Sequence, residues 1–151
     1  MPSALHLVRL NTALIAALSL VACSSTITGP SSVPSAPIAS LAIETNVVWH
    51  LRSIVSADGS LLTIGDPSLF TLMLTDDGKV SARADCNRAL GGYKISGNAL
   101  SIGPMASTKA YCTTAPVDQQ FLTLLGGENI VTTSGVGLQL SSPRGTLVFG
   151  Q

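Results

Sequence analysis

Short runs of alternating apolar and polar residues dominate the chain from about residue 44 onward. In the clearest run, Phe70, Leu72 and Leu74 are separated by a threonine and a methionine, and a period of two is the pattern of a half-buried β-strand. Asp77-Gly78 follows and favours a tight hairpin turn, because both residue types tolerate positive φ. Similar runs predict further short strands at 47–54, 80–84, 91–95, 100–102, 105–111, 129–133, 138–140 and 146–149.

One segment has the spacing of an amphipathic helix instead. Its apolar positions lie on one face, and they are Phe121, Leu122, Leu124 and Leu125. Thr113 or Thr114 can cap its start, and Gly126-Gly127 ends it. Many short antiparallel strands with one main helix predict a single α+β domain. In this domain a curled sheet of about seven to nine strands lies around or over the helix.

A short apolar segment near the N-terminus has a different character. Residues 13–22 are almost entirely apolar and follow the cation Arg9. The segment is too short to span a bilayer, which takes about 20 residues, and it is typical of a secretory signal. It ends in Leu20-Val21-Ala22-Cys23, which resembles the lipobox of bacterial lipoproteins. The resemblance implies a signal peptide at 1–22 and acylation of Cys23. A plain secretory signal that is cut elsewhere is the alternative.

The residues after Cys23 indicate where the domain is held. Ser24, rather than Asp, follows the cysteine, and by resemblance to proteobacterial lipoproteins this implies a lipid anchor in the outer membrane, facing the periplasm. Residues 23–43 carry no charge and are rich in Ser, Pro and Thr, which predicts an extended tether. The folded domain is predicted at 44–151, and the membrane is its first partner, through the anchor.

Charge excludes one class of partner. From residue 23 onward the chain carries seven Lys/Arg and eight Asp/Glu, without a basic cluster or stripe. Nucleic-acid binding therefore has no electrostatic support. The few aromatic residues fall in predicted strands or in the helix, and we interpret them as core or sheet residues rather than a stacking platform.

Cys86 and Cys112 remain once Cys23 is assigned to the lipid. In an oxidising compartment such a pair favours a structural disulfide. Two free buried thiols or a redox pair are the alternatives, although the wide separation of the two residues argues against a CxxC-type exchange centre.

Catalytic and metal-binding patterns are weak. His50 is the single histidine after residue 22, and the acidic pair Asp76-Asp77 lies in a predicted turn without the further ligands of a calcium loop. We therefore predict no enzyme activity, no cofactor and no metal. A cleft that gathered His50, Arg83 and Asp85 would favour a hydrolase or an inhibitor instead.

A recognisable series of motifs runs from Asp77 to Cys112. Its segments are 77–81, 86–88 (Cys-Asn-Arg), 91–93 (Gly-Gly-Tyr), 98–103, 105–108 and Cys112. Together they resemble the META domain, also called the HslJ-like family, over nearly all of 44–151. Ala82 and Asp85 stand where the family usually has Gly. The resemblance implies a cracked-barrel-like antiparallel sheet with one helix, a disulfide between Cys86 and Cys112, and no established catalytic set.

Two functions follow as expectations. The first is a non-enzymatic envelope lipoprotein, an interaction module connected with envelope stress that binds a protein partner. The second is a carrier or binder of a lipid or another apolar ligand, in the space between the curled sheet and the helix. The plainer interpretation of those apolar residues is a filled core, since protein interiors are normally close-packed.

Overall fold

The computed structural model describes residues 43–114, 116–135 and 137–151. The predicted signal peptide at 1–22, the lipidation site Cys23 and the predicted tether as far as residue 42 lie outside the described residues. The elements are β1 (Val48–Ser56), β2 (Leu61–Thr63), a 3₁₀ turn (Pro67–Leu69), β3 (Phe70–Leu74), β4 (Lys79–Ala84), β5 (Asn87–Ser96), β6 (Ala99–Ile102), β7 (Ala106–Ser107), α1 (Val117–Leu125), β8 (Gly127–Ser134), β9 (Gly137–Ser142) and β10 (Gly145–Gly150).

The alternating pattern of the sequence places the expected residues in the core. Phe70, Leu72 and Leu74 of β3 are buried, as are Trp49 and Leu51 of β1. Since side chains along a strand point to opposite faces in turn, one face of each of these strands is covered and the other is partly exposed. The predicted half-buried pattern of β3 is therefore confirmed, and β1 shows the same pattern.

The sheet closes into a barrel. Its strand order is β10-β9-β8-β6-β5-β4-β3-β1, and β10 also pairs with β1, so these eight strands form an antiparallel ring. Strand β2 pairs with the second half of β1, and the two-residue β7 pairs with β5. The sequence predicted a curled, cracked-barrel-like antiparallel sheet of about seven to nine strands with one main helix. The antiparallel sheet and the single main helix are confirmed for the described residues. The structure differs in that the barrel is closed and that two further short strands bring the sheet to ten.

A glycine permits this closure. In the β1–β10 ladder, Ser56 pairs with Gly145, where a Cβ atom would lie 2.5 Å from the carbonyl oxygen of Val55. Gly145 also has a backbone φ of +145°, a conformation that residues other than glycine rarely adopt. Any other residue at this position would push the start of strand β10 away from β1.

The interior is filled by side chains. Buried residues from β1, β3, β4, β6, β8, β9 and β10 form a single apolar cluster, and the largest of them expose less than 2% of their surface. An eight-stranded barrel has an interior just wide enough for side chains to fill or for one small ligand. Here the close-packed core occupies that space.

Helix α1 covers one end of the barrel. Its Gln120 donates a hydrogen bond to Ser56 at the end of β1. Its Leu124 lies next to Gly145 at the start of β10, where an added Cβ atom would come within 3.4 Å of Leu124 Cδ2. Phe121 is fully buried and meets the rings of Phe70 and Phe149 edge-on, with centroid separations of 5.9 and 6.2 Å. The helix therefore completes the apolar core at this end of the barrel.

The start of α1 differs from the prediction. No side-chain hydrogen bond caps the helix, and Pro116 stands at its N-cap, so neither Thr113 nor Thr114 plays the predicted role. Thr114 donates a hydrogen bond to Asp85 instead.

Among the described residues, no helix combines the length and the apolar character that crossing a bilayer requires.

Candidate functional site

A groove runs along the outer side of α1, between the helix and the segment from β7 to Cys112. It consists of two adjoining cavities of about 490 and about 460 Å³ that share Ser107 and Leu122. We call it the α1 groove. One half is lined mainly by apolar and glycine residues and the other mainly by polar ones, so a ligand in it would meet both kinds of surface.

Asn87 builds the wall of the polar half. Its side chain is buried, and its Oδ1 accepts hydrogen bonds from Thr108 Oγ1 at 2.9 Å and from the backbone N–H of Ala110 at 2.8 Å. Its Nδ2 lies 3.0 Å from both the carbonyl oxygen of Ala110 and the Sγ atom of Cys112. One amide therefore fixes a segment without regular secondary structure, because its donors and its acceptor are both used.

A disulfide holds the end of the same segment. Cys86 lies in the turn between β4 and β5, and it is bonded to Cys112 with a Cα–Cα distance of 5.6 Å. The two cysteines that the sequence paired are thus joined in the structure. Tyr111, which precedes Cys112 and lines the groove, is 96% exposed. The interpretation of this aromatic residue as part of the core or the sheet was wrong.

Asp85 connects the β4–β5 turn to the start of α1. Its φ is +56°, which explains why this position suits glycine, and an aspartate also tolerates the left-handed region. Its Oδ2 accepts hydrogen bonds from Thr114 Oγ1 at 2.6 Å and from the Thr114 backbone N–H at 3.0 Å. These bonds, the side-chain one first, lower the pKa of Asp85 below its usual 3.8, because they favour the charged form.

We expect the stability of the domain to depend on the charge of Asp85 at low pH. A pKa that is lower in the folded state than in the unfolded state stabilises the fold above the unfolded value, and this contribution disappears as the pH falls through the folded pKa. Thermal unfolding of the parent and of Asp85→Asn should therefore differ most above about pH 4 and converge below it. A difference that did not change between pH 6 and pH 2 would contradict the assignment.

Asp118 lies at the bottom of the polar half. It is in the first turn of α1, exposes only 5% of its surface and lines the 460 Å³ cavity. Its Oδ2 is 3.4 Å from Asn87 Nδ2, whereas its Oδ1 has no hydrogen-bond partner among the described residues. From the sequence, an acidic residue in the first turn of a helix is expected only to complement the helix dipole. Its burial and its unpaired oxygen could not be read from the local sequence.

The other half of the groove is mainly apolar. Ile102, Met105 and Leu122 line it, together with Ala89 and the glycines that follow α1. Gly91 makes room for this wall, because a Cβ atom there would lie 2.9 Å from Cγ of Met105. Met105 is unbranched and adapts to irregular surfaces, so this half can accept apolar groups of different shapes.

The remaining candidate residues do not form a site together. His50 Nδ1 lies 3.2 Å from the carbonyl oxygen of Pro67. Arg83 donates through Nε to the backbone oxygen of Asp85, and the Asp85 carboxylate is engaged by Thr114. These three side chains are therefore not arranged as a catalytic triad, in which a base contacts a nucleophile and an acid orients the base.

The acidic turn is a hairpin between β3 and β4. Asp77 pairs with Lys79, while Asp76 accepts hydrogen bonds from Thr45 and Asn46. Within residues 43–114, 116–135 and 137–151, no group of three or more His, Cys, Asp or Glu side chains gathers in a way that could hold a metal ion.

The closed ring of eight strands with one covering helix defines the class of protein as a small antiparallel β-barrel. A lipocalin-like protein from Bacteroides uniformis ATCC 8492 has a TM-score of 0.50 and 18% identity, over 69% of this chain and 94% of that one. A protein from Burkholderia xenovorans has a TM-score of 0.58 and 24% identity, over 70% and 81%. A DUF4847 family protein from Bacteroides vulgatus ATCC 8482 has a TM-score of 0.52 and 13% identity, over 72% and 94%.

At these identities the structural relatives show the fold alone. A sequence model of the META domain family matches residues 40–151, which is well over half of the chain. The chain therefore belongs to the META domain family, and the resemblance in the motifs between Asp77 and Cys112 is confirmed. A comparison with curated proteins found no match.

Proposed function

We propose that this META domain protein is a lipid-anchored binding module of the bacterial envelope and that its ligand lies in the α1 groove. The observation that carries the proposal is the construction of the groove. One wall has no regular secondary structure, yet Asn87, the disulfide and Asp85 fix it in place. A preorganised wall lowers the entropy cost of binding.

The sequence supports the location in this proposal. The segment Leu20-Val21-Ala22-Cys23 has the lipobox pattern, and an anchor with at least two acyl chains holds a protein stably on a bilayer. We propose that the protein is located at the periplasmic face of the outer membrane. Its proposed partner is an envelope protein, and its proposed role is in the response to envelope stress. The proposed module has no enzymatic activity.

Photo-crosslinking in cells tests the ligand site. We would place a photo-crosslinking residue at Ser107 or at Thr123, two exposed positions of the groove, in the full chain expressed in its host. Thr132, exposed and five residues beyond Gly127 along β8, is the matched control. A discrete adduct at the two groove positions and none at Thr132 is the expected result. Equal crosslinking at all three positions, or no crosslinking at any of them, would contradict the proposal.

The anchor has its own prediction. Cys23→Ser should move the protein from the membrane fraction to the soluble fraction, because the acylated sulfur is lost while the folded domain is unchanged. Fractionation of cells followed by immunodetection measures this, with Ser24→Ala as the neighbouring control that stays with the membrane. Unchanged membrane association of Cys23→Ser would show that another segment holds the protein.

A second candidate function is the binding of a lipid or another apolar ligand. A separate cavity of about 190 Å³ near the start of α1 favours it, with an apolar lining that includes Leu62, Phe70 and Val117. The filled core leaves the surface cavities as the place for such a ligand. Native mass spectrometry of the chain purified from its host should then show a co-purifying lipid, and a chain without any bound lipid would count against this function.

A further inference from the structure

Asp118 is a carboxylate that the described residues leave half satisfied. It exposes only 5% of its surface, and the side-chain hydrogen bond that it accepts among the described residues comes from the Asn87 amide at 3.4 Å. The ion pair found among the described residues joins Lys79 and Asp77, not Asp118. Burying a carboxylate oxygen without a hydrogen-bond partner is unfavourable, and the positive end of the helix dipole offsets only part of this cost.

We propose that the polar half of the α1 groove binds a protonated amine that carries an apolar group, with the ammonium on Asp118. This inference rests on the proposed function and names the ligand class of the same site. The ammonium would give Asp118 Oδ1 the donor that it lacks. The apolar group would lie along Leu122 toward Met105 and Ile102, because the two cavities share Leu122.

The chemistry of the cavity separates an amine from other ligands. A calcium ion needs about six to eight oxygen ligands, whereas Asp118 is the single carboxylate that lines the cavity. One cation, Lys109, also lines this cavity, but it is exposed to solvent, which screens its charge, whereas the Asp118 carboxylate is buried and disfavours an anion beside it. Asp118 Oδ1 has almost no exposed surface, so a ligand reaches it only if the side chain turns toward the cavity. A compact ammonium needs less space there than a broad planar guanidinium does.

The test is a titration of the purified full chain with hexylamine, followed by NMR. We expect saturable shifts of the backbone amide signals of Asn87, Thr108 and Asp118. Hexanol and hexanoate have the same chain without the ammonium, and they should bind more weakly. Lengthening the amine from butyl to octyl should tighten binding, and Leu122→Ala should reduce that gain.

Asp118→Asn decides whether the carboxylate is the binding group. It should weaken hexylamine binding by about tenfold or more, since hydrogen bonds to a charged group are the strong ones. Glu128→Gln removes the same charge at an exposed position and should leave the affinity within about twofold. A purely structural Asp118 would instead give a lower melting temperature for Asp118→Asn and an unchanged affinity for hexylamine, which would overturn the inference.

The outcomes also separate this inference from the proposed function. If hexylamine binds no better than hexanol while crosslinks still form at Ser107 and Thr123, the amine is wrong and the groove stands. If hexylamine binds through Asp118 but no groove crosslink forms in cells, the amine site stands and the proposed partner is wrong. Should Asp118→Asn fail to fold, the comparison of the three hexyl compounds on the parent chain still decides the matter.

Discussion

Replacing Phe121 by alanine is expected to lower the free energy of unfolding by about 3–5 kcal/mol, the usual cost of a buried aromatic deletion. Phe121 is fully buried and contacts Phe70 of β3 and Phe149 of β10. Its loss removes both edge-on ring contacts, each worth about 0.5–1.5 kcal/mol beyond the area that it buries. It also opens a cavity where α1 covers the barrel. The strands are already close-packed and cannot collapse to fill this cavity.

Urea unfolding followed by circular dichroism measures this change, and Thr123→Ala is the control. Thr123 lies on the same helix but is exposed, so its replacement should change stability by less than about 0.5 kcal/mol. A Phe121→Ala variant as stable as Thr123→Ala would show that α1 does not complete the core. If the variant does not fold at all, Phe121→Leu, which keeps most of the apolar volume, should fold with a smaller loss.

Removing the disulfide is expected to cost about 3–4 kcal/mol on the chain-entropy estimate. The bond closes a loop with a sequence separation of 26 residues, and one of its cysteines, Cys112, is buried beside Asn87. The double variant Cys86→Ser/Cys112→Ser should therefore melt at a lower temperature than the parent. It should also lose the order of the segment that forms the polar wall of the α1 groove.

A reductant provides the matched control for this experiment. It should lower the melting temperature of the parent and leave that of the double variant unchanged. Hydrogen exchange should accelerate at the backbone amide of Ala110 in the variant, since this amide donates to Asn87 Oδ1 and Asn87 in turn contacts Cys112. A double variant that keeps the parent's melting temperature under non-reducing conditions would contradict a stabilising role for the bond.

Much of the strand content was predictable because it depends on local pattern. The alternation of Phe70, Leu72 and Leu74 with polar or smaller positions already identifies β3 and its inward face. Asp77-Gly78 identifies the hairpin that follows, and Gly78 does have a positive φ of +78°. The helix was also predictable, because Phe121, Leu124 and Leu125 recur at helical spacing and all three are buried.

The long segment from Met105 to Tyr111 shows where local pattern fails. It was predicted as a strand, but only Ala106–Ser107 pairs, with β5. Thr108 still exchanges hydrogen bonds with Arg88, and the residues after it are held mainly by the buried side chain of Asn87, which lies about 20 residues earlier in the chain. A distant side-chain amide thus takes over from the backbone ladder, and no periodicity in the segment itself indicates that.

By itself the sequence determined most of the strands, the hairpin turn, the helix and the family, because each follows from neighbouring residues and their spacing. Tertiary structure alone decided that β10 pairs with β1 to close the barrel and that Tyr111 is exposed. It also decided that Asp118 is buried with one oxygen to which no described residue donates a hydrogen bond. These outcomes depend on contacts between residues far apart in the chain. Such contacts are selected by the packing of the whole domain rather than by any local preference.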